Sequence, residues 1–444
     1  MKFYRYIKII IATIAIFYLG HEVARWNQRN EGSGSCSDKD YKHKIEHNEL
    51  MNTVDSMARA VVATGFSAGD GYGEVWILDF NTFIELSMEV LDEELIRKNL
   101  NTFFAFQTPT GEVVDGFVDI NKANLSYNYR RSENAPEFAA HKNTVETDQE
   151  SSLVQAVYKY DTKSGNKSYL QTELFGQTVL QRLEAAMRFL LEEKMADKYG
   201  LITGATTVDW GDVQPEHEWG VAIDENTHFT IDIYDNAMFV IALNNLIELC
   251  DNADKKAYWT SIRDQIKQNV RQHLWDNENR KFKPHIYLNG SPFPANFDEN
   301  KIYYHGGTGV AVMAGLLSKE EIAEANAKML ENMKKAHAQS IGLTVYPTYP
   351  HGYFKNTMMY PYGYQNGGDW TWFGARMILG LIENGFIAEA YDELQPMLRR
   401  VVENRGFYEW YTPAGEPMGS GTYRGEAGVL FKCNQMLREW AATN

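Results

Sequence analysis

The stretch Ala205-Thr206-Thr207-Val208-Asp209-Trp210-Gly211-Asp212-Val213 joins two long helical patterns, and the rest of the chain is organised around it. Its centre places two carboxylates three residues apart, with a tryptophan and a glycine between them. A carboxylate pressed against an apolar face has a raised pKa, which suits a proton donor. Trp210 offers such a face, which also suits a sugar ring. The alternative is an Asx-turn or N-cap pair with Trp210 in the core.

The composition narrows the class of protein. With 444 residues, 44% hydrophobic and only 12 Pro, the chain can bury a large core. A formal charge of −16 argues against nucleic acid or an anionic membrane as the main partner. The 10 Trp and 26 Tyr suit stacking against sugars, although most of them are expected in the core.

The N-terminal segment resembles a targeting signal. Basic residues precede an apolar run from Ile9 to Gly20, which is short for a membrane span. No clear small-residue cleavage site follows, so residues 1–23 are a signal peptide or an uncleaved signal anchor that attaches the protein to the membrane. Residues 24–44 are largely polar and predict a flexible tether. We therefore expect one catalytic domain over residues 45–444, located outside the cytoplasm as a secreted, periplasmic or luminal protein.

Cofactor and disulfide motifs are missing from the sequence. Cys36, Cys250 and Cys433 do not form a disulfide framework. No His/Cys cluster has metal-ligand spacing, and neither a glycine-rich phosphate loop nor a Gly-x-Ser-x-Gly elbow is present. We expect no metal and no organic cofactor, and the sequence leaves the oligomeric state open.

Helical periodicity dominates the chain from about residue 47, and period-two alternation is scarce. This pattern predicts an all-α fold with little β-structure. About twelve helices in six pairs are predicted over 47–64, 76–91, 93–107, 149–164, 167–195, 232–250, 254–275, 307–315, 319–336, 369–384, 386–404 and 424–441.

The connections between these helices alternate in length. Short turns join the helices of a pair, whereas the pairs are separated by segments rich in Trp, Tyr, Gly, Asp and Glu. In a closed ring of helical hairpins, all the long segments gather on one side and build a single deep pocket. An open solenoid is the alternative, but no fixed-period repeat supports it.

Acidic and aromatic residues cluster in the long segments and at the helix starts beside them. Thr147 and Glu150 also fit a capping box, and this role would explain both residues without any part in a substrate site. The clusters are Glu74–Asp79, Thr147–Glu150, Asp209–Asp212, Tyr364–Trp372, Tyr408–Tyr411 and Tyr423–Glu426.

The order and content of these clusters resemble the six-hairpin (α/α)6-barrel glycosidases. This group includes processing α-glucosidase, amylo-α-1,6-glucosidase, bacterial trehalase-like enzymes and the cellobiose-phosphorylase catalytic domain. The resemblance covers nearly everything after residue 45. It implies an (α/α)6 toroid and a glycoside hydrolase that cleaves a gluco-configured, α-linked oligosaccharide.

Two motifs carry the catalytic assignment that the resemblance implies. Asp209-Trp210-Gly211-Asp212 is similar to Asp-Trp-Asn-Asp in the phosphorylases, where the last Asp is the general acid. Tyr408–Gly415 is similar to Glu-Asn-Tyr-Asn-Pro-x-Thr-Gly in processing glucosidase, where the Glu is the base. Asp212 is therefore the expected acid and Glu409 the expected base.

Two further motifs carry the sugar-binding assignment. Trp76–Asp79 resembles Trp-x-Arg-Asp, whose Asp holds hydroxyls of the sugar at subsite −1, although Leu78 stands where Arg is usual. Tyr364–Trp370 is similar to Tyr-Gln-Asn-Gly-Gly-x-Trp. The expected substrate-binding residues are Trp76, Asp79, Asp148, Glu150, Trp210, Gln365, Trp370 and Tyr411.

Inversion at a glycosidic bond requires one protonated carboxyl and one ionised carboxylate, roughly 6.5 to 9.5 Å apart. Residues distant in sequence can meet that separation across a barrel mouth. Asp209 is the reserve acid and Glu426 the reserve base. A disaccharide phosphorylase, a lyase or epimerase on the same barrel, and a non-catalytic glycan-binding protein are the alternatives.

Overall fold

The computed structural model describes residues 38–123, 128–142, 145–219 and 223–444. They belong to two compact units, one with residues 38–48 and 438–444, the other with residues 49–437. The predicted targeting segment and Cys36 lie outside the described residues. Within the described ranges, no helix is both long and apolar enough to cross a membrane.

Thirteen α-helices lie in the described residues, and they are numbered in chain order. They are α1 (Asp38–Glu46), α2 (Glu49–Val62), α3 (Ile77–Val90), α4 (Glu93–Phe106), α5 (Gln149–Ser164), α6 (Val179–Glu193), α7 (Ile233–Leu249), α8 (Ala253–Asn269), α9 (His305–Met313), α10 (Lys319–Ala336), α11 (Thr371–Glu383), α12 (Ile387–Asn404) and α13 (Arg424–Thr443).

The predicted helices are present, and α5 and α10 have the predicted bounds. Helix α1 begins within the last residues of the predicted tether and extends beyond its end. Acidic residues in the first turn of α1 and basic residues in its last turn complement the helix dipole. The polar composition that indicated a tether also suits a short charged helix.

The predicted helix over 167–195 is too long at its start. A hairpin of strands β4 and β5 precedes α6, and its turn places Phe175 and Gly176 at φ 52° and 83°. Two consecutive positive φ values form a tight hairpin turn and end a helix. Thr178 then begins α6 through a capping box with Gln181.

The strands are short and scattered, from two to four residues long, and all their named pairings are antiparallel. They are β1 (Val75–Trp76), β2 (Gly116–Asp119), β3 (Phe138–His141), β4 (Glu173–Leu174), β5 (Gln177–Thr178), β6 (Met195–Ala196), β7 (Leu201–Ile202), β8 (Gly204–Ala205), β9 (Phe229–Ile231), β10 (Trp275–Asp276), β11 (Lys281–Phe282), β12 (Ile286–Tyr287), β13 (Tyr303–Tyr304), β14 (Val345–Tyr346), β15 (Trp410–Tyr411) and β16 (Pro417–Met418). The larger sheets have the orders β1-β2-β3 and β12-β9-β8.

The odd-numbered helices from α3 onward pack against one another in chain order. Helix α3 contacts α5, α5 contacts α7, α7 contacts α9 and α9 contacts α11. Helix α13 meets α11 where Cys433 Sγ donates to the carbonyl of Ala375 at 3.4 Å. It meets α3 at Gly428, where an added Cβ would lie 2.6 Å from Phe83 Cα. A glycine is therefore required for this approach.

The same six helices line a cavity of about 490 Å³, which we call the basal cavity. Its walls include Lys159, Lys163, Arg376 and Lys432. Lys432 Nζ lies 2.8 Å from a carboxylate oxygen of Glu85, which is also in the wall. The residues of this cavity lie in the middle and C-terminal parts of the helices.

The long loops have an apolar core of their own, which holds the stretch 205–213. Val208 and Val213 are fully buried in a cluster with aromatic residues from distant loops, including Phe293, Tyr304 and Tyr349. The Tyr304 hydroxyl lies 2.8 Å from that of Tyr349. The two residues that flank Asp-Trp-Gly-Asp are thus fixed by packing.

Candidate active site

A cavity of about 470 Å³ lies at the starts of α3 and α11, beside the loops that precede α7 and α13. We call it the acidic cavity because its wall contains several carboxylates. It is lined by Ala68, Tyr72, Trp76, Ile77, Leu78, Asp79, Asp115, Glu146, Gln149, Trp210, Asp212, Val213, Trp219, Tyr364, Gln365, Trp370, Trp372, Glu409 and Tyr423.

Asp212 is held in the wall by Gln365, whose Nε2 donates to Asp212 Oδ1 at 2.7 Å. Burial raises the pKa of Asp212, although the hydrogen bond from Gln365 lowers it. A Cβ on Gly211 would lie 2.3 Å from Gln365 Oε1, so only glycine lets the two loops approach this closely. The glycine of Asp-Trp-Gly-Asp therefore has a direct role in placing the second carboxylate.

Glu409 lies on the same cavity and accepts two hydrogen bonds on one oxygen. The Tyr72 hydroxyl donates to Glu409 Oε1 at 2.7 Å, and the Ser420 amide donates to the same atom at 3.0 Å. Burial raises the pKa of Glu409, while both donors lower it and the charge of Asp212 raises it. Asp212 and Glu409 thus have separate hydrogen-bond partners, and the charge of Asp212 affects the pKa of Glu409.

Asp79 and Glu146 add two more buried carboxyls to this wall. Burial raises the pKa of Asp79 to about 7, against a hydrogen bond from Tyr423 that lowers it. The pKa of Glu146 is well above its ordinary value, first because of burial and then because of the charges of Asp148 and Asp212. At neutral pH such carboxyls can donate as well as accept hydrogen bonds.

Aromatic rings form the other surfaces of the cavity. Trp210 stacks on Phe373 with ring centroids 4.1 Å apart and meets Trp370 edge-on at 4.8 Å. Trp370 Nε1 donates to the carbonyl of Tyr364 at 2.9 Å. Trp210 is only 5% exposed, so it belongs to the core and to the cavity wall at once. The sequence left a core position and a position on the site wall open for this tryptophan, and its ring occupies both.

A buried carboxyl side chain lies at the start of each of the six odd-numbered helices α3 to α13. Anions at these positions are stabilised by the positive end of the helix dipole. Helix α9 receives Asp209 from another loop, and the other five helices carry Asp79, Asp148, Asp235, Asp369 and Glu426 in or just before their first turns.

Asp209, the reserve acid, does not line the cavity. Its two carboxylate oxygens accept from the amides of Gly306 and Gly307 at 2.6 and 2.7 Å, at the start of α9. Its own backbone has a φ of 56°. Both oxygens are therefore committed to anchoring the loop, and Asp212 is the carboxylate of the motif that faces the cavity.

Four other predicted residues lie outside the acidic cavity. Asp148 accepts from the Tyr234 hydroxyl at 2.7 Å, and Tyr411 is buried under the Arg400 guanidinium, 3.9 Å from its ring centroid. Glu426 is fully buried, and burial raises its pKa to about 8. These positions are closed by protein partners or packing.

Glu150, the fourth of them, is fully buried and binds the Lys142 ammonium at 3.2 Å and the Val113 amide at 2.8 Å. The capping box predicted for Thr147 and Glu150 does not form. Asp148 is the N-cap residue instead. Glu150 does not line the acidic cavity, and its carboxylate is used in an internal ion pair.

Sequence reasoning missed Tyr72, Asp115, Glu146 and Tyr423 as lining residues. Tyr72 lies in the run Gly69–Gly73 just before the Trp76 motif, and this glycine-rich loop was the available signal. Nothing local in the sequence indicates that its hydroxyl reaches Glu409. In the described part of the chain, no group of three or more His, Cys, Asp or Glu side chains is arranged to hold a metal ion.

Solved structures resemble this fold at low sequence identity. The GH63 mannosylglycerate hydrolase from Thermus thermophilus in complex with glucose is 17% identical, with a TM-score of 0.60 over 85% of this chain and 99% of that one. The same enzyme in complex with Tris and D-glycerate is 18% identical, with a TM-score of 0.59 and the same coverage. A rhamnosidase from Klebsiella oxytoca with rhamnose bound is 13% identical, with a TM-score of 0.57 over 88% of this chain and 64% of that one.

No curated protein matches the chain. Residues 74–424 match the family described as the mannosylglycerate hydrolase MGH1-like glycoside hydrolase domain, and this range contains the acidic cavity except for Ala68 and Tyr72. The match confirms the resemblance to the six-hairpin glycosidases. The chain is a glycosidase and belongs to the MGH1-like glycoside hydrolase family.

Proposed function

We propose that this protein hydrolyses a glycosidic bond with inversion, using Asp212 as general acid and Glu409 as general base in the acidic cavity. The observation that carries the proposal is that two carboxyls from distant loops line one cavity and have separate hydrogen-bond partners. Inversion needs two carboxyls with different roles, and room for a water molecule between the base and the sugar.

The surroundings of Asp212 suit the acid. Its burial raises the pKa and favours the protonated form, as an acid at neutral pH requires. The Gln365 amide occupies Oδ1, which leaves Oδ2 to carry the proton to the leaving oxygen. Gln365 thus orients the acid and sets which oxygen donates.

The surroundings of Glu409 suit the base. The Tyr72 hydroxyl and the Ser420 amide both donate to Oε1, and such donors stabilise the ionised carboxylate. The other oxygen is then available to accept a proton from the attacking water. The hydrogen bonds that Tyr72 and Ser420 donate to one oxygen of Glu409 favour its assignment as the base.

Sugar binding at subsite −1 is assigned to residues of the same wall. Asp79 would accept hydroxyl groups, and Trp76, Trp210 and Trp370 would contact ring faces. A gluco-configured, α-linked oligosaccharide is the substrate that the resemblance implies. The family name and the solved neighbours raise a narrower candidate, a mannosylglycerate, which carries a carboxylate.

We also infer that helices α2 to α13 form an (α/α)6 toroid. Residues from all six odd-numbered helices α3 to α13 line the basal cavity, which supports a ring. The approach of Gly428 to Phe83 brings the last of these helices against the first. The long loops and the helix starts build the acidic cavity, as the alternating connections predict.

An extracytoplasmic location is a further proposal, supported by the signal-like residues 1–23. Fractionation of cells that express the full chain with a C-terminal tag tests it. Tag recovered with the cytoplasmic fraction would contradict this location, and carbonate extraction separates an anchored form from a released one.

Phosphorolysis is the main alternative reaction. A phosphorylase must hold phosphate where the hydrolase holds water, and phosphate sites in proteins use Lys, Arg or backbone amides. Among the described residues, no Lys, Arg or His lines the acidic cavity. This composition favours water over phosphate as the nucleophile.

A screen of the protein against aryl α- and β-glycosides and natural disaccharides, with and without phosphate, tests the proposal. Proton NMR follows the anomer formed first, and Asp212→Asn is assayed in parallel. Phosphate-independent release of the inverted sugar, lost in the variant, is expected. Activity that requires phosphate would establish a phosphorylase, and sugar binding without cleavage would favour a glycan-binding protein.

A further inference from the structure

The charges on the wall of the acidic cavity all have one sign. Five carboxyl side chains line it, and no Lys, Arg or His of the described residues does. The three internal segments outside the described residues, 124–127, 143–144 and 220–222, contain no Lys, Arg or His in the sequence either. The carboxyls are Asp79, Asp115, Glu146, Asp212 and Glu409.

Two basic side chains near this wall face protein groups. His141 is fully buried, and its Nδ1 lies 3.3 Å from Asp115 Oδ2. Arg376 is 5% exposed and packs over the Trp372 ring at 4.7 Å, so it lies behind the wall and lines the basal cavity. Neither side chain lines the acidic cavity.

A side cavity of about 210 Å³ shares Glu146 and Gln149 with the acidic cavity and contains two lysines. Lys142 is bound to Gln149 at 2.8 Å and to Glu150 at 3.2 Å. Burial and the charge of Lys142 lower the pKa of Lys194, against the charges of Glu150 and Glu112, which raise it. Lys142 is thus paired with a carboxylate, and the lowered pKa of Lys194 disfavours its charged form.

A ligand that enters the acidic cavity therefore meets carboxyls and aromatic rings. The proposed general base, Glu409, is ionised when the enzyme is active. In a partly buried site its charge repels an anion, because solvent screens it poorly, and the other carboxyls of the wall provide no positive charge to offset it. A neutral sugar can instead donate its hydroxyls to the same oxygens.

We propose that this enzyme acts on glycosides that carry no anionic group, and that its cavity discriminates against a carboxylate on the aglycone or on the sugar. The inference rests on the proposed function, because it assigns the substrate class of the same cavity. The family is named for a substrate that contains glycerate, and the inference predicts that this enzyme does not prefer such a substrate. Protonated amines, such as a basic iminosugar, are the charged ligands that the wall favours.

A matched pair of substrates tests the inference. Glucosylglycerol and glucosylglycerate differ only in a hydroxymethyl group and a carboxylate, and mannosylglycerol and mannosylglycerate form a second pair. We expect kcat/KM for the glycerol member to exceed that of the glycerate member by about tenfold or more. Equal or faster cleavage of a glycerate glycoside would overturn the inference.

Ionic strength and one substitution show whether charge causes the preference. Raising salt from about 0.05 to 0.5 M should reduce the ratio of kcat/KM within a pair, because salt screens the repulsion. Asp115→Asn removes one carboxyl from the wall and should reduce the ratio by about threefold or more, whereas Glu85→Gln in the basal cavity should leave it unchanged. A ratio that changes with neither salt nor Asp115→Asn would contradict an electrostatic cause.

Calorimetric binding of the same four glycosides separates the inference from hydrolysis itself. If none is cleaved, the proposed hydrolysis of these linkages fails, but tighter binding of the glycerol members still supports charge selection. Tighter binding of the glycerate members, or no binding of any of the four, would overturn the inference.

Discussion

The acidic and basal cavities are lined partly by the same helices but have opposite charge. The acidic cavity has five carboxyls and no lysine or arginine among the described residues of its wall. The basal cavity has four such cations, Lys159, Lys163, Arg376 and Lys432, beside two glutamates. The first lies near the N-terminal ends of the helices, and the second lies further toward their C-terminal ends.

The helix dipole gives a physical reason for this difference. Helix N-termini stabilise nearby anions and C-termini stabilise nearby cations, each by about 0.3–1 kcal/mol. The dipole therefore favours Asp79, in the first turn of α3, and Lys163, in the last turn of α5, whereas Arg376 and Lys432 lie in mid-helix, beyond its reach. Chemistry that needs a protonated and an ionised carboxyl is expected at the N-terminal end.

The largest effect is expected from Asp212→Asn. On substrates with a sugar or alkyl leaving group, kcat/KM should fall about 10²- to 10⁴-fold, the usual contribution of a general acid. Glu85→Gln is the matched control, since it removes a carboxylate from the basal cavity. Comparable losses in both variants, with folding checked by circular dichroism, would remove the functional distinction between the cavities.

The helices could be predicted from the sequence because apolar periodicity marks them directly. Ser318 and Glu321 form a capping box at the start of α10, where a local signal and the apolar pattern agree. The turn at Phe175 and Gly176 was missed because the surrounding residues keep a helical spacing. This tight turn pairs β4 with β5, so the helix α6 begins only at Val179.

The site was predictable only where a motif is contiguous. Asp212 and Glu409 each lie in a short acidic and aromatic motif, so the sequence located both. Tyr72 and Tyr423 were missed because their roles depend on contacts with Glu409 and Asp79 in other loops. Glu150 has the residue type of a site but forms an internal pair with Lys142, and only this contact in the folded chain distinguishes the two cases.

The next largest effect is expected from Gly211→Ala. The new Cβ would lie 2.3 Å from Gln365 Oε1, so Gln365 must move and its hydrogen bond to Asp212 is lost. Misplacement of the acid should lower kcat/KM about tenfold or more. Gly73→Ala is the control, because its Cβ would meet Val118 Cγ2 at 3.4 Å, an ordinary contact. Equal activity of both variants would show that this approach is not needed.

Smaller effects on the pH profile should distinguish the two carboxyls of the acidic cavity. Activity is lost on the alkaline side as Asp212 ionises and on the acid side as Glu409 is protonated. Removing the donor in Gln365→Leu raises the pKa of Asp212 and should move the alkaline limb of kcat/KM to higher pH. Tyr72→Phe raises the pKa of Glu409 and should move the acid limb to higher pH.

If the two roles were reversed, the Gln365 variant would move the acid limb and the Tyr72 variant the alkaline limb. Profiles of kcat/KM between about pH 4 and 9 on one substrate therefore test the assignment. The double variant should move both limbs, since the two hydrogen bonds are to different carboxyls.

The smallest effect is on stability and is expected at Glu426. Burial raises the pKa of Glu426 to about 8 in the folded protein, so the folded state keeps a proton that the unfolded chain releases near pH 4.5. Its contribution to the free energy of unfolding is therefore full at low pH and is lost as pH rises toward 8. Glu426→Gln should leave Tm unchanged at about pH 5 and raise it at about pH 8.

Calorimetry at the two pH values checks this prediction. A variant that is less stable than the wild type at both values would show that the ionised carboxylate is favoured by Arg400, and that the buried carboxyl is not held in its neutral form.

The most direct test of the central claim is the leaving-group dependence of Asp212→Asn and Glu409→Gln. A dinitrophenyl leaving group departs without protonation, whereas an alkyl leaving group requires the acid. The account predicts that Asp212→Asn stays within about tenfold of the wild-type kcat/KM on the dinitrophenyl glycoside and loses activity on the alkyl one, and that Glu409→Gln loses activity on both. Equal losses of Asp212→Asn on the two substrates would contradict its role as the acid.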